Sequence, residues 1–158
     1  MEINVTSMSM KHLEQIAPIL LTDFDDFWTL STLALELRNP NTYYLVALEG
    51  EEIVGFGGIW QVLTEFHLNN IVVKKTKRNQ GIGTILLQHF VVLAKEKGAE
   101  SLTLEVNENN KYAIQLYQTA GFTTMGRRSK YYHHQEDAII MTKFFSLPKE
   151  TGNFGRLL

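Results

Sequence analysis

Residues 71–90, IVVKKTKRNQGIGTILLQHF, carry the strongest structural signal in this chain. A β-branched strand runs into a basic loop, then into two glycines, Gly81 and Gly83, and then into an amphipathic helix predicted to reach about Lys97. Unpaired N–H groups and a partial positive charge at a helix N-terminus bind phosphate, and glycine lets the backbone approach the anion. The turn therefore predicts either a phosphate site or a tight turn whose glycines serve packing alone.

Two common phosphate-binding motifs are excluded at this turn. A Walker loop would require Gly-Lys-Ser/Thr, and the dinucleotide fingerprint would require three glycines at a different spacing. The basic residues Lys75, Lys77 and Arg78 stand beside the glycines and are expected to add positive charge there.

The segments on both sides of this turn alternate between strand and helix patterns. Before it, the patterns predict a strand at 2–7, a helix at 10–20 with Ser9 as its N-cap, a helix at 29–37, a hairpin of strands at 43–49 and 52–62, and a strand at 66–73. After it, they predict a strand at 101–107, a helix at 111–120 that ends at Gly121, and strands at 122–127 and 136–145. This order predicts an α/β (α+β) fold with a mixed, twisted central sheet of about six to seven strands and about four flanking helices. Phe56 and Trp60 are expected in its core.

The composition is that of one globular domain. The chain has 158 residues, no cysteine and a formal net charge of −2. These values exclude a disulfide scaffold, a zinc ribbon and a cysteine nucleophile, and they predict no general attraction for nucleic acid or an anionic membrane. We expect a single domain over 1–148 with a C-terminal tail at 149–158, as a monomer or weak dimer.

The sequence also bears on location and on metals. No apolar run approaches the roughly 20 residues of a membrane span, and the N-terminus lacks the pattern of a secretory signal, so a cytoplasmic protein is expected. The five histidines show no ligand spacing, and the adjacent His133 and His134 would point to opposite faces of a strand. No metal site is therefore expected.

A second informative block is 104–122, LEVNENNKYAIQLYQTAGF. Strand alternation separates Glu105 from its apolar neighbours Leu104 and Val106. Asn110 begins the next helix, and Tyr117, seven residues later, lies on the same helical face. Each polar residue also has an ordinary structural interpretation: a solvated strand-end glutamate, an N-cap asparagine, and a core tyrosine bonded to a carbonyl.

The Arg-x-x-Gly-x-Gly turn between a strand and an amphipathic helix resembles the pyrophosphate-binding motif of the GCN5-related N-acetyltransferases (GNAT family). The resemblance implies the fold of that family and acetyl-CoA as cosubstrate, with no metal. It also implies that a main-chain N–H on the strand before the turn polarises the thioester carbonyl. The residues that it assigns to coenzyme binding are Ile71, Val72, Val73, Arg78, Asn79, Gln80, Gly81, Ile82, Gly83, Thr84 and Asn110.

The later sequence resembles the RimI branch of this family, which acetylates the N-terminal alanine of a small-subunit ribosomal protein. The matching segments are LEV at 104–106, Asn110 before the helix, AIQLY at 113–117, GF at 121–122 and RRSKYYHHQEDAIIM at 127–141. By position, the resemblance implies that Glu105 is the general base and Tyr117 the general acid. It implies that the partner is the N-terminus of a ribosomal protein or another peptide.

Two alternatives stay open beside this interpretation: acetylation of a small amine or a Lys side chain, and a non-catalytic acyl-CoA-binding module. One departure from the branch concerns its usual Phe-x-x-Pro-Trp element, which helps to shape the peptide site. Here residues 24–28 read FDDFW, with aromatic residues but no proline.

Overall fold

The computed structural model describes residues 2–24, 29–132 and 136–145. Several expectations fall outside these ranges and stay predictions: the role of the proline-free segment at 25–28, the paired histidines at 133 and 134, and the domain boundary at 148 with its tail. Within the described ranges, no helix is long and apolar enough to cross a membrane.

The described residues form strands and helices in the mixed order that the sequence predicts. In chain order they are β1 (Asn4–Ser7), α1 (Met10–Ile16), α2 (Leu20–Asp23), α3 (Leu30–Arg38), β2 (Thr42–Glu49), β3 (Glu52–Val62), β4 (Glu65–Leu68), β5 (Val72–Val73), α4 (Ile82–Glu96), β6 (Ser101–Asn107), α5 (Lys111–Thr119), β7 (Thr123–Tyr132) and β8 (Glu136–Phe144). Short 3₁₀ turns cover Ala17–Ile19 and Lys75–Lys77.

One twisted sheet connects all of the strands. Its order is β1-β2-β3-β4-β6-β8-β7, with β5 paired to β3 beside this path. The β4–β6 pair is parallel and the other pairs are antiparallel. The predicted α/β (α+β) architecture is confirmed, with eight strands where six to seven were expected.

The additional strand arises because the predicted strand at 66–73 is interrupted. Leu68 pairs with Ile59, and Val72 pairs with Phe56. Three residues, 69–71, therefore stand opposite two residues of β3, 57 and 58, which is the count of a β-bulge. The Asn69 N–H still donates to the Gly58 carbonyl at 2.8 Å. The expectation of one continuous strand is wrong because alternation alone does not reveal the extra residue.

Local signals set most of the helix ends. The Ser9 side chain accepts from the His12 N–H, as predicted. Gly98 and Gly121 adopt φ values of +90° and +98° directly after the last helical turns, where glycine avoids the Cβ clash. The predicted helix at 10–20 is wrong in its length, since Pro18 lies in the 3₁₀ turn between α1 and α2 and lacks the N–H that an α-helix needs.

Two apolar clusters fill the two sides of the sheet. Residues of α1–α3 pack on side chains of β2, β3 and β5, whereas residues of α4 and α5 pack on the other face. Helix α4 lies very close to β3 because Gly55 and Gly57 have no side chains. A Cβ at these positions would approach Leu86 Cδ1 to 3.0 Å and Phe90 Cε2 to 3.2 Å. This close packing fixes the start of α4 beside β5.

The core prediction holds for Phe56, which is fully buried, and is wrong for Trp60, which is 40% exposed. Both residues lie on the face that α1–α3 cover, but Trp60 stands near the end of β3. There its indole N–H donates to the Glu36 carboxylate of α3, so the ring sits at the edge of the cluster.

Candidate active site

A cavity of about 410 Å³ opens between β5 and β6. Parallel pairing of β4 with β6 ends at His67 and Thr103, whereas pairing with β3 resumes after the bulge through β5. The two strands therefore diverge at this point. The lining consists of Asn70, Ile71, Val73, Lys77, Arg78, Asn79, Gly81, Ile82, Gly83, Glu105, Val106, Asn107, Asn110, Tyr112, Ala113, Leu116 and Tyr117.

The cavity joins the two sequence blocks that were singled out separately, the glycine turn and the block around Glu105 and Tyr117. Val72, Gln80 and Thr84 are absent from the lining. The Val72 side chain is 1% exposed and packs in the cluster under α1–α3.

The lining also contains residues that the sequence interpretation missed. Ala113 stands at helical spacing between Asn110 and Tyr117, so periodicity could have found it. Asn107 shares the strand face of Glu105 and was detectable in the same way. Asn70 lies in the bulge, which carries no comparable sequence signal.

The glycine turn leaves an open cradle at the start of α4. Gly81 is the N-cap, with a φ of +84° and no side-chain hydrogen bond to the helix, so the first N–H groups of α4 lack intrahelical partners. A Cβ built at Gly81 meets nothing within 4 Å, and one built at Gly83 meets only Val73 Cγ2 at 3.9 Å. An anion such as a pyrophosphate fits the charge and the free space of this turn.

Main-chain groups of β5 also face the cavity. Along an antiparallel strand, successive residues point their N–H and C=O groups alternately toward and away from the partner strand. The Lys74 N–H donates to the Val54 carbonyl of β3 at 2.8 Å, so the groups of Val73 point away from β3. The Val73 carbonyl accepts from Arg78 Nε at 3.2 Å, which ties the strand to the turn.

Glu105 lies on the cavity wall in the predicted alternation. Leu104 and Val106 are buried, and the Glu105 side chain is 14% exposed. The Arg128 guanidinium of β7 faces it, with Nη2 2.7 Å from Oε2. His67 of β4 is close enough to be affected: burial lowers the pKa of its imidazole, while the Glu105 charge acts in the opposite direction.

Comparison with known proteins assigns the family. The family model described as "Acetyltransferase (GNAT) family" matches residues 13–122. The chain belongs to this family. This GNAT-family chain is 35% identical over 139 residues to a Bacillus subtilis (strain 168) protein provisionally named a ribosomal protein bS18-alanine N-acetyltransferase, covering 87% of this chain and 92% of that one.

Two further comparisons agree. The ribosomal protein bS18-alanine N-acetyltransferase of Haemophilus influenzae is 35% identical over 120 residues, which cover 72% of this chain and 80% of that protein. The crystal structure of the ribosomal-protein-S18-alanine N-acetyltransferase from Escherichia coli superposes with a TM-score of 0.85 at 28% identity, covering 95% of this chain and 98% of that one. The chain is thus an N-acetyltransferase of the RimI type.

In this GNAT cavity, Tyr117 and Asn110 occupy one wall. Tyr117 is 9% exposed and packs edge-on against the Phe122 ring at 5.8 Å between centroids. The Asn110 side chain accepts from the Ala113 N–H at 3.1 Å. Asn110 is therefore an N-cap, as the structural interpretation predicted, while it also lines the cavity.

The basic loop of this N-acetyltransferase is partly neutralised by acidic side chains. Lys74 Nζ lies 2.7 Å from Glu52 and 3.6 Å from Asp23, and Lys77 Nζ lies 2.9 Å from Glu49. The hydrogen bond to Glu49 raises the pKa of Lys77. Lys77 still lines the cavity, but the Glu49 carboxylate offsets its charge there.

The described residues offer no metal centre to the GNAT site: none of their histidine, aspartate and glutamate side chains form a group of three or more that could hold an ion.

Proposed function

We propose that this N-acetyltransferase transfers the acetyl group of acetyl-CoA to the α-amine at the N-terminus of a ribosomal protein. The names of its relatives in Bacillus subtilis and Haemophilus influenzae support this acceptor class. The observation that carries the proposal is the position of Glu105 and Tyr117 on the wall of the same cavity as the glycine turn.

Coenzyme binding is assigned to the turn and to β5. The N–H groups of residues 81–84 and the Arg78 side chain would hold the pyrophosphate, and main-chain groups of Ile71 and Val73 would pair with the pantetheine arm. Asn110, at the start of α5, is the proposed contact on the opposite wall. When bound, acetyl-CoA would supply the activated thioester carbonyl that the acceptor amine attacks.

Glu105 is proposed to take a proton from the acceptor, directly or through a water. An α-amine has a pKa of about 7.7–8.0 and a lysine amine about 10.4, so at pH 7 deprotonation costs about 1 kcal/mol for the former and about 4.5 kcal/mol for the latter. The Glu105 carboxylate is therefore better matched to an N-terminus than to a lysine side chain.

Tyr117 is proposed to protonate the departing thiolate. A tyrosine hydroxyl in water has a pKa of about 10, so this type of group carries a proton that it can donate at neutral pH. The edge-on packing of the ring against Phe122 restricts its orientation. A binding module would need neither group, so the pair favours catalysis over coenzyme binding alone.

The decisive experiment is mass spectrometry of a peptide that copies the N-terminus of ribosomal protein bS18, incubated with the protein and acetyl-CoA. The matched control peptide has the same sequence with a blocked α-amine and retains any lysines. We expect acetylation on the free α-amine and none on the blocked peptide. Acetylation on lysine or on a polyamine alone would contradict the proposal.

The Tyr117→Phe variant tests the assigned acid. The ring and its packing remain, so the affinity for coenzyme A should change little, whereas kcat should fall by about 10²–10⁴-fold, as for loss of a general acid. Unchanged kcat would remove Tyr117 from the mechanism.

A further inference from the structure

The proposed base, Glu105, is engaged by a cation that the proposed reaction does not use. Arg128 Nη2 lies 2.7 Å from Glu105 Oε2, and the two side chains are 58% and 14% exposed. Oε2 itself is buried and accepts no well-aligned hydrogen bond from the described residues. The contact is thus mainly electrostatic, between a shielded carboxylate oxygen and an arginine that extends into solvent.

The register of the sheet explains how Arg128 reaches across two strands. Glu105 pairs with Ile140 of β8, and Ile140 pairs with Gly126 of β7. Gly126 has no side chain, and a Cβ built there would lie 3.9 Å from Ile140 Cδ1, so the residue directly in line with Glu105 cannot reach the carboxylate itself. Arg128 is two residues further along β7 on the same face, and its long side chain spans the diagonal.

The neighbouring arginine serves a different purpose. Arg127 points to the opposite face of β7, where its guanidinium pairs with Glu108 and with Asp137, the latter at 3.2 Å. Asp137 also donates its N–H to the Glu108 carboxylate at 3.0 Å. This network joins the β7–β8 hairpin to the β6–α5 loop. Arg127 is therefore a matched control: it is an arginine on the same strand whose side chain does not face Glu105.

We propose that Arg128 is a positioning residue that acts through Glu105, an inference that rests on the function proposed above. Arg128 holds Oε2, which orients the other carboxylate oxygen toward the acceptor amine. When the acceptor ammonium transfers its proton to that oxygen, the amine becomes neutral and the carboxyl loses its charge. The attraction between this carboxyl group and Arg128 is then lost until Glu105 releases the proton to water.

The exposure of Arg128 suits this role. Because water screens the arginine member of the pair, the net free energy of the ion pair is small, and the pair can open during each turnover once the carboxyl is neutral. A fully buried pair would resist opening, because separating it would leave a desolvated charge without a partner. The arrangement thus restricts the rotamers of Glu105 without trapping its charge.

Steady-state kinetics with acetyl-CoA and the acceptor peptide test the proposal in a double-mutant cycle. The variants are Arg128→Ala, Arg128→Lys, Glu105→Gln and the Arg128→Ala/Glu105→Gln pair. We expect Arg128→Ala to lower kcat by roughly tenfold, less than the 10²–10⁴-fold expected for loss of the base itself. The KM for acetyl-CoA should not change. Arg128→Lys should recover most of the loss, because a cation is restored near Oε2.

The combined variant separates positioning from a general structural effect. In the Glu105→Gln background, Arg128→Ala should cause no further loss, because the residue through which it acts is already removed. Arg127→Ala should lower the thermal midpoint at least as much as Arg128→Ala does, yet leave kcat unchanged.

Two results would overturn the role of Arg128: wild-type kcat in Arg128→Ala, or the same fold-loss in both backgrounds. If Glu105→Gln itself keeps wild-type kcat, Glu105 is not the base, and the proposed role of Arg128 is then also wrong because it acts through Glu105. If Glu105→Gln is impaired and Arg128→Ala is not, only the positioning role fails.

Discussion

Gly83→Ala should separate folding from coenzyme binding. An added Cβ would meet no atom closer than Val73 Cγ2 at 3.9 Å, so the folded protein can accept it without strain. Alanine is favoured over glycine within a helix by up to about 1 kcal/mol. We therefore expect the free energy of unfolding to stay constant or to rise slightly, measured by denaturant titration.

The same Cβ should weaken coenzyme A binding, because Gly83 lines the cavity at the first turn of α4. It would push the pyrophosphate away from the N–H groups that the turn offers. Loss of hydrogen bonds to a charged group costs about 1.5–3 kcal/mol, which corresponds to a Kd increase of about 10- to 150-fold. Isothermal titration calorimetry with coenzyme A measures this change.

Gly98→Ala, at the other end of α4, is the matched control. Gly98 has a φ of +90° and open space around its Cβ position, so alanine there should lower stability by about 1 kcal/mol through backbone strain. Its affinity for coenzyme A should match the wild type, since it lies away from the cavity. If Gly83→Ala binds coenzyme A with wild-type affinity, the turn is not a phosphate site. If Gly83→Ala is less stable than the wild type, the space around the Gly83 Cβ position is not free.

Three further predictions concern stability. Gly58→Ala should lower the free energy of unfolding by about 1–3 kcal/mol in denaturant titrations, since its Cβ would lie 2.4 Å from Tyr44 Cζ; an unchanged midpoint would contradict the tight stacking. Glu36→Ala should lower the free energy of unfolding by about 2 kcal/mol, because the Tyr44 hydroxyl donates to that carboxylate at 2.8 Å. The same substitution made in a Tyr44→Phe protein should cause a smaller loss. Burial lowers the pKa of His67 below its ordinary 6.5, so the unfolded chain binds more protons there and stability should fall as the pH drops below about 6.5. His67→Gln should reduce the dependence of the unfolding free energy on pH. His89→Gln, on the exposed face of α4, is the control and should leave this dependence unchanged. The same pH dependence in both variants would show that other groups cause it.

The fold was largely accessible from local patterns. Alternation in β6 correctly separated Leu104 and Val106 from Glu105, and the caps at Ser9 and Asn110 follow from hydrogen bonds over three residues. The interruption of the strand predicted at 66–73 depends on distant partners, whereas the early end of the helix predicted at 10–20 follows from Pro18, a local signal.

The candidate site likewise has one part that local sequence reveals and one part that only the folded sheet brings together. The glycine turn and the block at 104–122 were recognisable as motifs, because their residue types and spacings are written in contiguous sequence. Arg128 was part of a matching segment but had no assigned role. Its pairing with Glu105 depends on the register of three strands, which neighbouring residues do not encode.

Contiguous sequence specified the strand–turn–helix unit, the alternation of Glu105 and the caps, because backbone propensities and short-range hydrogen bonds depend on residues a few positions apart. The cavity needed the folded sheet. Strand β4 pairs with both β3 and β6, but beyond the extra residue at 69–71 the chain pairs with β3 and no longer with β6, which opens the space between β5 and β6. Whether that residue bulges is set by the pairing of all neighbouring strands, a long-range property that local sequence does not contain.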